Sequence, residues 1–99
     1  IIMKRLEFSW DPEKAKTNKK KHGVSFQEAQ TAFYDENGRI IHDSDHSEDE
    51  DRFILLGMSA KPRILTVCHC YRVQESVVRI ISARKATKNE ERQYRGLIP

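Results

Sequence analysis

Four runs with the pattern of β-strands follow one another from residue 39 onward, and no helical pattern separates them. They span residues 39–42, 52–58, 63–71 and 76–83, with a turn or a loop between each pair. These connections are shorter than the dozen or so residues that a parallel crossover needs, so neighbouring strands are predicted to be antiparallel. Because doubly wound folds alternate strands with helices, the pattern predicts an α+β fold with an antiparallel sheet.

Helix signals lie at both ends of this block of strands. A strand at residues 6–10 leads into Asp11-Pro12, which is a typical N-cap and first helical residue, and Gly23 supplies a left-handed stop. Ser25 to Glu28 and Thr87 to Glu90 both have the spacing of a capping box. The predicted helices span residues 12–22, 26–34 and 88 to about 96. The predicted order is β-α-α-β-β-β-β-α, with about five strands, two N-terminal helices and one C-terminal helix.

The size and hydropathy of the chain fit one soluble domain over residues 1–99. Of the 99 residues, 37% are hydrophobic and 33% are charged, which leaves room for a single modest core. The longest apolar run, residues 53–56, is far shorter than the roughly 20 residues of a membrane span. Residues 1–5 lack the apolar region of a secretory signal. The expected location is therefore the cytoplasm, with no membrane partner.

The charges are segregated along the chain. Residues 43–51, which form the acidic segment, hold six of the 15 acidic residues and no Lys or Arg. Basic residues cluster at residues 14–21 and again at residues 79–95. Basic clusters bind phosphate backbones because each neutralised phosphate releases counterions, so the leading partner is a nucleic acid. The alternative is that the lysine-rich helix faces only hydrate the protein.

The sequence predicts neither a metal nor a cofactor. Cys68, His69 and Cys70 are adjacent, but the alternation of a strand sends His69 to the face opposite the two cysteines, so the three cannot converge on one metal. The acidic segment lacks the glycine and terminal glutamate of a calcium loop and is predicted to be an exposed loop. Glycine-rich phosphate loops and the motifs of zinc proteases and serine hydrolases are also missing.

The remaining polar groups suit the cleavage of RNA, which needs no cofactor if the 2′-hydroxyl of the substrate attacks the adjacent phosphorus. The protein must then align the attack, stabilise the charge on the phosphorane and move two protons. Arginine presents a planar fork of donors to phosphate oxygens, while histidine, or lysine among positive charges, can transfer protons near neutral pH. The candidate catalytic residues are Arg79, Arg84, Lys21 and His22.

A purely structural role is also open for each of these candidates. His22 ends a predicted helix, where the helix dipole favours a protonated imidazole without any catalytic role. Arg79 interrupts an apolar strand, and a buried ion pair would equally account for it. Arg79 and Arg84 are five residues apart, so they point to opposite faces of a regular strand. They converge only if the strand bulges or ends near Ser82.

Two long motifs resemble those of the BrnT toxin family. Residues 10–26, WDPEKAKTNKKKHGVSF, resemble its opening motif WDxxKxxxNxxKHGVSF. Residues 79–86, RIISARKA, resemble its RxISARxA motif, and residues 91–94 resemble its ER-Y ending. Further matching positions are Phe33, Asp35, Arg52 and Gly57. One departure, at residues 68–71, makes His69 a minor additional candidate for the site.

The resemblance implies a type II toxin–antitoxin toxin, which is a small endoribonuclease of RelE-like fold that arrests growth. It also implies a ribbon-helix-helix antitoxin, with promoter DNA bound only through the complex of the two proteins. The residues expected to bind RNA are Trp10, Lys14, Ser82 and Lys85, although Trp10 is also expected to pack in the core. The alternatives are a DNA-binding or gyrase-interacting module, and a degenerate toxin that acts only as a co-repressor.

Overall fold

The structure, a computed structural model, describes residues 6–72 and 76–97. Its elements are β1 (Glu7–Ser9), α1 (Pro12–His22), α2 (Phe26–Ala32), β2 (Arg39–His42), a 3-10 turn (Ser44–His46), β3 (Phe53–Met58), β4 (Ile64–Arg72), β5 (Val77–Lys85) and α3 (Lys88–Tyr94). The α+β class and the predicted order of elements are confirmed, while the turn predicted at residues 73–75 lies outside the described residues. Within the described part of the chain, none of the helices has the length and apolar character needed to cross a membrane.

The five strands form one sheet in the order β1-β5-β4-β3-β2. Strands β2 to β5 make the predicted antiparallel meander. Strand β1, however, pairs in parallel with β5, and Ser9 lies beside Arg79. The sheet is therefore mixed rather than wholly antiparallel. The long path from β1 through two helices and the meander permits this parallel pairing, which a hairpin cannot make.

The main core lies between one face of the sheet and the helix α2. The side chains of Phe26, Ala29 and Ala32 in α2 are fully buried against this face. Gly57 in β3 permits the close approach, because a Cβ there would lie 2.8 Å from the carbonyl oxygen of Ala32. The strand residues that complete this core are Leu55, Leu65, Val67, Val78, Ile80 and Ala83.

The helix boundaries follow local capping. In α1, the Asp11 side chain accepts a hydrogen bond from the backbone N–H of Glu13 at 2.8 Å, and Gly23 ends the helix with a φ of 70°. Only half of the first predicted capping box forms. The Ser25 hydroxyl accepts from the Glu28 N–H, but the Glu28 carboxylate accepts from Arg63 instead of turning back to Ser25. Helix α2 ends at Ala32, two residues earlier than predicted.

Helix α3 lies against the other face of the sheet. Its capping box is complete: Thr87 accepts from the Glu90 N–H, and the Glu90 carboxylate accepts from the Thr87 N–H. At its other end, the Tyr94 hydroxyl donates to the carboxylate of Asp35. Burial and this contact raise the pKa of Tyr94 to about 12. The Glu90 carboxylate also accepts from the Thr66 hydroxyl in β4, so both ends of α3 are tied to the sheet or its loops.

Candidate functional site

A β-bulge in β5 places three of the predicted site residues on one face of the sheet. Cys70, Cys68 and Thr66 alternate along β4 and so share a face, and their direct partners in β5 are Arg79, Ser82 and Arg84. The register shifts between Cys68 and His69, which leaves Ile81 as an extra residue in β5. Because of this extra residue, two arginines at an odd spacing point the same way.

Helix α1 lies along the part of the β5 edge that β1 does not cover. The Asn18 side chain joins the two elements: Nδ2 donates to the carbonyl oxygen of Ala83 at 2.8 Å, and Oδ1 accepts from the Ala83 N–H at 3.0 Å. Nδ2 also donates to the carbonyl oxygen of Val24 at 2.9 Å. The carboxamide thus replaces a peptide group of a neighbouring strand. It fixes α1 against the residue that separates Ser82 from Arg84.

A first groove, the helix groove, lies between α1 and the bulge and has a volume of about 320 Å³. It brings together three predicted residues of α1 with one of β5: its walls include Lys14, Lys21, His22 and Ser82. Within the described residues, none of the lysines of α1 forms an ion pair with a carboxylate. These positive charges are therefore available to a phosphate backbone.

A second groove, the sheet groove, has a volume of about 220 Å³ and lies on the sheet face that carries Arg84. Its walls also include Arg52, His46 and Cys68. The two grooves share Ile81 and Ser82, so they adjoin at the bulge. A single extended ligand can therefore contact the lysines of α1 and the arginines of the sheet at once.

Arg84 lies in the sheet groove but is held by an ion pair that the sequence did not predict. Its Nη1 and Nη2 donate to the two carboxylate oxygens of Glu90 at 2.7 and 3.0 Å. Burial on its own would raise the pKa of Glu90, but hydrogen bonds from Arg84, the Thr87 N–H and Thr66 outweigh it and lower the pKa to about 2. The Arg84 side chain still exposes 42% of its surface. The guanidinium is thus oriented by the protein and remains open to solvent.

Arg79 lies on the same face as Ser82 and Arg84 but lines neither groove. It is half-buried beside β1, and its Nη1 is 3.5 Å from the Ser9 hydroxyl. Among the described residues it forms no ion pair. A buried ion pair was the structural alternative for Arg79, but that part of the chain supplies no carboxylate partner for it.

Two of the residues expected to bind RNA lie away from the grooves. Trp10 packs edge-on against Phe26, with ring centroids 5.9 Å apart, as the packing alternative requires. Lys85 lies opposite Leu65 on β4, so its side chain belongs to the sheet face that carries the core. Lys85 is exposed at the end of its strand. The structure therefore does not bring either residue to the helix groove or the sheet groove.

His69 is fully buried on the core face, opposite Cys68 and Cys70, as the strand alternation predicts. Its Nε2 lies 3.1 Å from the Tyr71 hydroxyl, and its ring packs edge-on against Phe33. Burial lowers the pKa of His69 to about 4. Because its ring has no access to solvent, His69 is excluded as a residue that touches RNA.

The acidic segment folds over one end of the sheet groove. Asp43 and His46 form a side-chain contact of 2.9 Å, and both line that groove. Glu50 forms an ion pair with Arg72 at the end of β4. In the described ranges, three or more His, Cys, Asp or Glu side chains do not come together as a metal site. The acidic segment is thus a structured loop at one end of the sheet groove.

Sequence reasoning missed four residues of this region, namely Asn18, Arg52, His46 and Glu90. Asn18 had a usable signal: it lies three residues after Ala15 and four before His22, on the stripe of α1 that turns toward the protein. Arg52 matched a position of the family pattern, but this match did not indicate a role for it. Glu90 was assigned only to a cap, because its pairing with Arg84 depends on how α3 packs on the sheet. His46 had no signal beyond its place in the acidic segment.

Comparison with known proteins places this fold in a class. The crystal structure of the ribonuclease toxin BrnT from Brucella abortus resembles the chain with a TM-score of 0.63 and 22% sequence identity, over 85% of this chain and 100% of that chain. The chain therefore has the same α+β fold as that protein. The family model for the ribonuclease toxin BrnT of type II toxin–antitoxin systems matches residues 10–90.

The chain belongs to this BrnT family of ribonuclease toxins, which confirms the predicted resemblance. No curated protein sequence matches it.

Proposed function

We propose that the chain is an endoribonuclease that cuts RNA without a metal ion and thereby arrests growth. The observation that supports this most strongly is the meeting of the helix groove and the sheet groove at Ile81 and Ser82. In the proposed complex, the amine and imidazole groups of α1 lie on one side of the bound backbone and the guanidinium of Arg84 lies on the other. Family membership supports RNA as the substrate.

In the proposed reaction, the 2′-oxygen forms a bond to phosphorus while the bond from phosphorus to the 5′-oxygen breaks. The 2′-hydroxyl loses a proton and the departing 5′-oxygen gains one, so the products are a 2′,3′-cyclic phosphate and a 5′-hydroxyl. Lys21 or His22, in the helix groove, moves these protons. Arg84 donates to the phosphorane oxygens, whose negative charge grows in the transition state.

The other residues hold the RNA. Lys14 and Ser82 bind the backbone within the helix groove. Arg79 lies five residues before Arg84 in β5, so their Cα atoms are at most roughly 17 Å apart. In the proposal, Arg79 is not only a binding residue: it also donates to the negative charge of the transition state, from beside the Ser9 hydroxyl on the same face. Base stacking by Trp10 is not part of the proposal, because its ring packs on Phe26.

We also propose the protein partner that the family implies. Type II systems pair a toxin with a protein antitoxin, and a ribbon-helix-helix antitoxin is the one expected here. Promoter DNA would then bind only through the complex of the two proteins. Purified toxin and antitoxin, separately and together, should be titrated onto promoter DNA. Binding of the toxin alone would contradict this part of the proposal.

The cleavage proposal is tested with purified protein and RNA in excess EDTA. We expect cleavage with a 2′,3′-cyclic phosphate end, and no cleavage where the 2′-hydroxyl at the cut site is replaced by hydrogen. Arg84→Ala and Arg79→Ala should each lose on the order of 10²- to 10³-fold in rate, as for a lost transition-state contact. Lys16→Ala is the matched control, because Lys16 is an exposed residue of α1 outside both grooves.

Two results would favour the other functions. Binding of nucleic acid without cutting in EDTA would support the DNA-binding or gyrase-interacting module. Normal growth on expression of the toxin alone would support the degenerate co-repressor. Unchanged cleavage by Arg84→Ala and Arg79→Ala would remove these arginines from the site while leaving the ribonuclease itself in place.

A further inference from the structure

We propose that Glu90 is a positioning residue that orients the guanidinium of Arg84 toward RNA in the sheet groove. This inference rests on the proposed function, in which Arg84 touches the reacting phosphate. It assigns Glu90 a second role beyond the helix cap that its position in α3 explains.

The Glu90 carboxylate joins three elements of the fold. It accepts hydrogen bonds from Arg84 in β5 at 2.7 and 3.0 Å, from the Thr66 hydroxyl in β4 at 3.0 Å and from the Thr87 N–H at 2.9 Å. Only 21% of the Glu90 side chain is exposed. A carboxylate held by four donors has little freedom to move, so its bidentate contact fixes the plane of the Arg84 guanidinium.

The held guanidinium keeps donors for a ligand. Of its five N–H groups, two donate to Glu90 and one donates to the carbonyl oxygen of Lys85 at 3.3 Å. The other two have no hydrogen-bond partner among the described residues. With 42% of the Arg84 side chain exposed, a phosphate can reach these two donors without displacing Glu90. Arg84 then loses few rotamers when RNA binds, because the protein has already selected one.

A capping role alone and a shielding role for Glu90 lead to different expectations. If Glu90 serves only as the cap of α3, glutamine should replace it, because a capping box accepts either residue. If Glu90 shields Arg84 and must be displaced by RNA, removal of its charge should speed cleavage. A positioning role predicts that glutamine slows the chemical step even though the cap is kept.

The test compares Glu90→Gln with the wild type in steady-state cleavage of an RNA with one cut site, in EDTA. We expect kcat to fall by roughly 10- to 100-fold, since misplacing a reacting group by about 1 Å costs up to 10²-fold. KM should change much less than kcat, because the loss of a negative charge favours RNA binding while the loss of the fixed Arg84 rotamer disfavours it. Arg84→Lys, which keeps the charge but loses the bidentate contact, should show a similar loss of kcat.

The matched control is Thr87→Ala, which removes the hydroxyl of the cap and leaves the Glu90–Arg84 contact in place. We expect its Tm to fall by about 4–8 °C, as for the loss of one N-cap, with kcat unchanged well below the Tm. In a double-mutant cycle, Glu90→Gln should have no further effect on kcat once Arg84 is replaced by alanine.

Three outcomes would overturn the inference alone: a kcat of Glu90→Gln at or above the wild-type value, equal losses of kcat in Glu90→Gln and Thr87→Ala, or a further loss caused by Glu90→Gln in the Arg84→Ala background. A wild-type protein that fails to cut RNA would instead refute the proposed function, and the inference with it.

Discussion

Replacement of Asn18 by alanine tests whether one side chain holds α1 against the sheet. The variant loses three hydrogen bonds, to Val24, to the Ala83 carbonyl and from the Ala83 N–H. Asn18 is only 6% exposed, so water does not readily replace these contacts. At about 1 kcal/mol for each bond, the loss is about 3 kcal/mol. The better helix propensity of alanine offsets about 0.6 kcal/mol, which leaves a net loss of about 2–3 kcal/mol in the free energy of unfolding.

The measurement is equilibrium unfolding in urea, followed by the fluorescence of Trp10, the one tryptophan of the chain. With an m-value of roughly 1.5 kcal/mol/M, the midpoint of Asn18→Ala should fall by about 1.5 M. Lys16→Ala is the control on the same helix, and its free energy of unfolding should stay within about 0.5 kcal/mol of the wild type. If the two variants unfold at the same urea concentration, the three hydrogen bonds of Asn18 add nothing to the stability of the fold.

Two further predictions concern the core. Burial lowers the pKa of His69 to about 4 from an ordinary value of 6.5, so the unfolded chain binds its proton first and the wild type should lose stability as the pH falls from 6.5 to about 4. His69→Phe should remove about 2–3 kcal/mol of this loss when urea unfolding is compared at pH 7 and pH 4.5, and an unchanged pH dependence would contradict the assignment. Gly57→Ala should lower the free energy of unfolding by about 1–3 kcal/mol, because its Cβ would lie 2.8 Å from the Ala32 carbonyl oxygen. A variant as stable as the wild type would show that α2 can move aside.

The parts of the fold that the sequence predicted well are those decided locally. Helix α1 begins at Pro12 and ends at His22 as expected, because Asp11 and Gly23 act on residues within one turn of them. The partner of β1 was not predictable in this way. Its parallel pairing joins residues about 70 positions apart, and no turn signal connects them. The Glu28 side chain shows the same limit, since Arg63 competes with the local cap and is 35 residues away.

The candidate site also has parts that the sequence predicted and parts that depend on long-range packing. The residue types came from chemistry and from the family motifs, and the structure brings Lys14, Lys21, His22 and Ser82 to one groove. The pairing of Arg84 with Glu90 was not anticipated, although the two are only six residues apart. A local pattern showed Glu90 as a cap, but which other donors its carboxylate meets depends on the packing of α3 against the sheet.

The extra residue Ile81 changes which face of the sheet the later side chains of β5 occupy. In an ordinary strand, side chains on one side recur at even intervals, whereas here an arginine and a second arginine five positions later look the same way. Deleting Ile81 would leave the two arginines four positions apart, so a regular strand without the bulge would carry both on the same face and keep Ala83 on the core face. A search for similar sites should therefore admit an even interval in a regular strand and an odd interval wherever the strand carries an inserted residue.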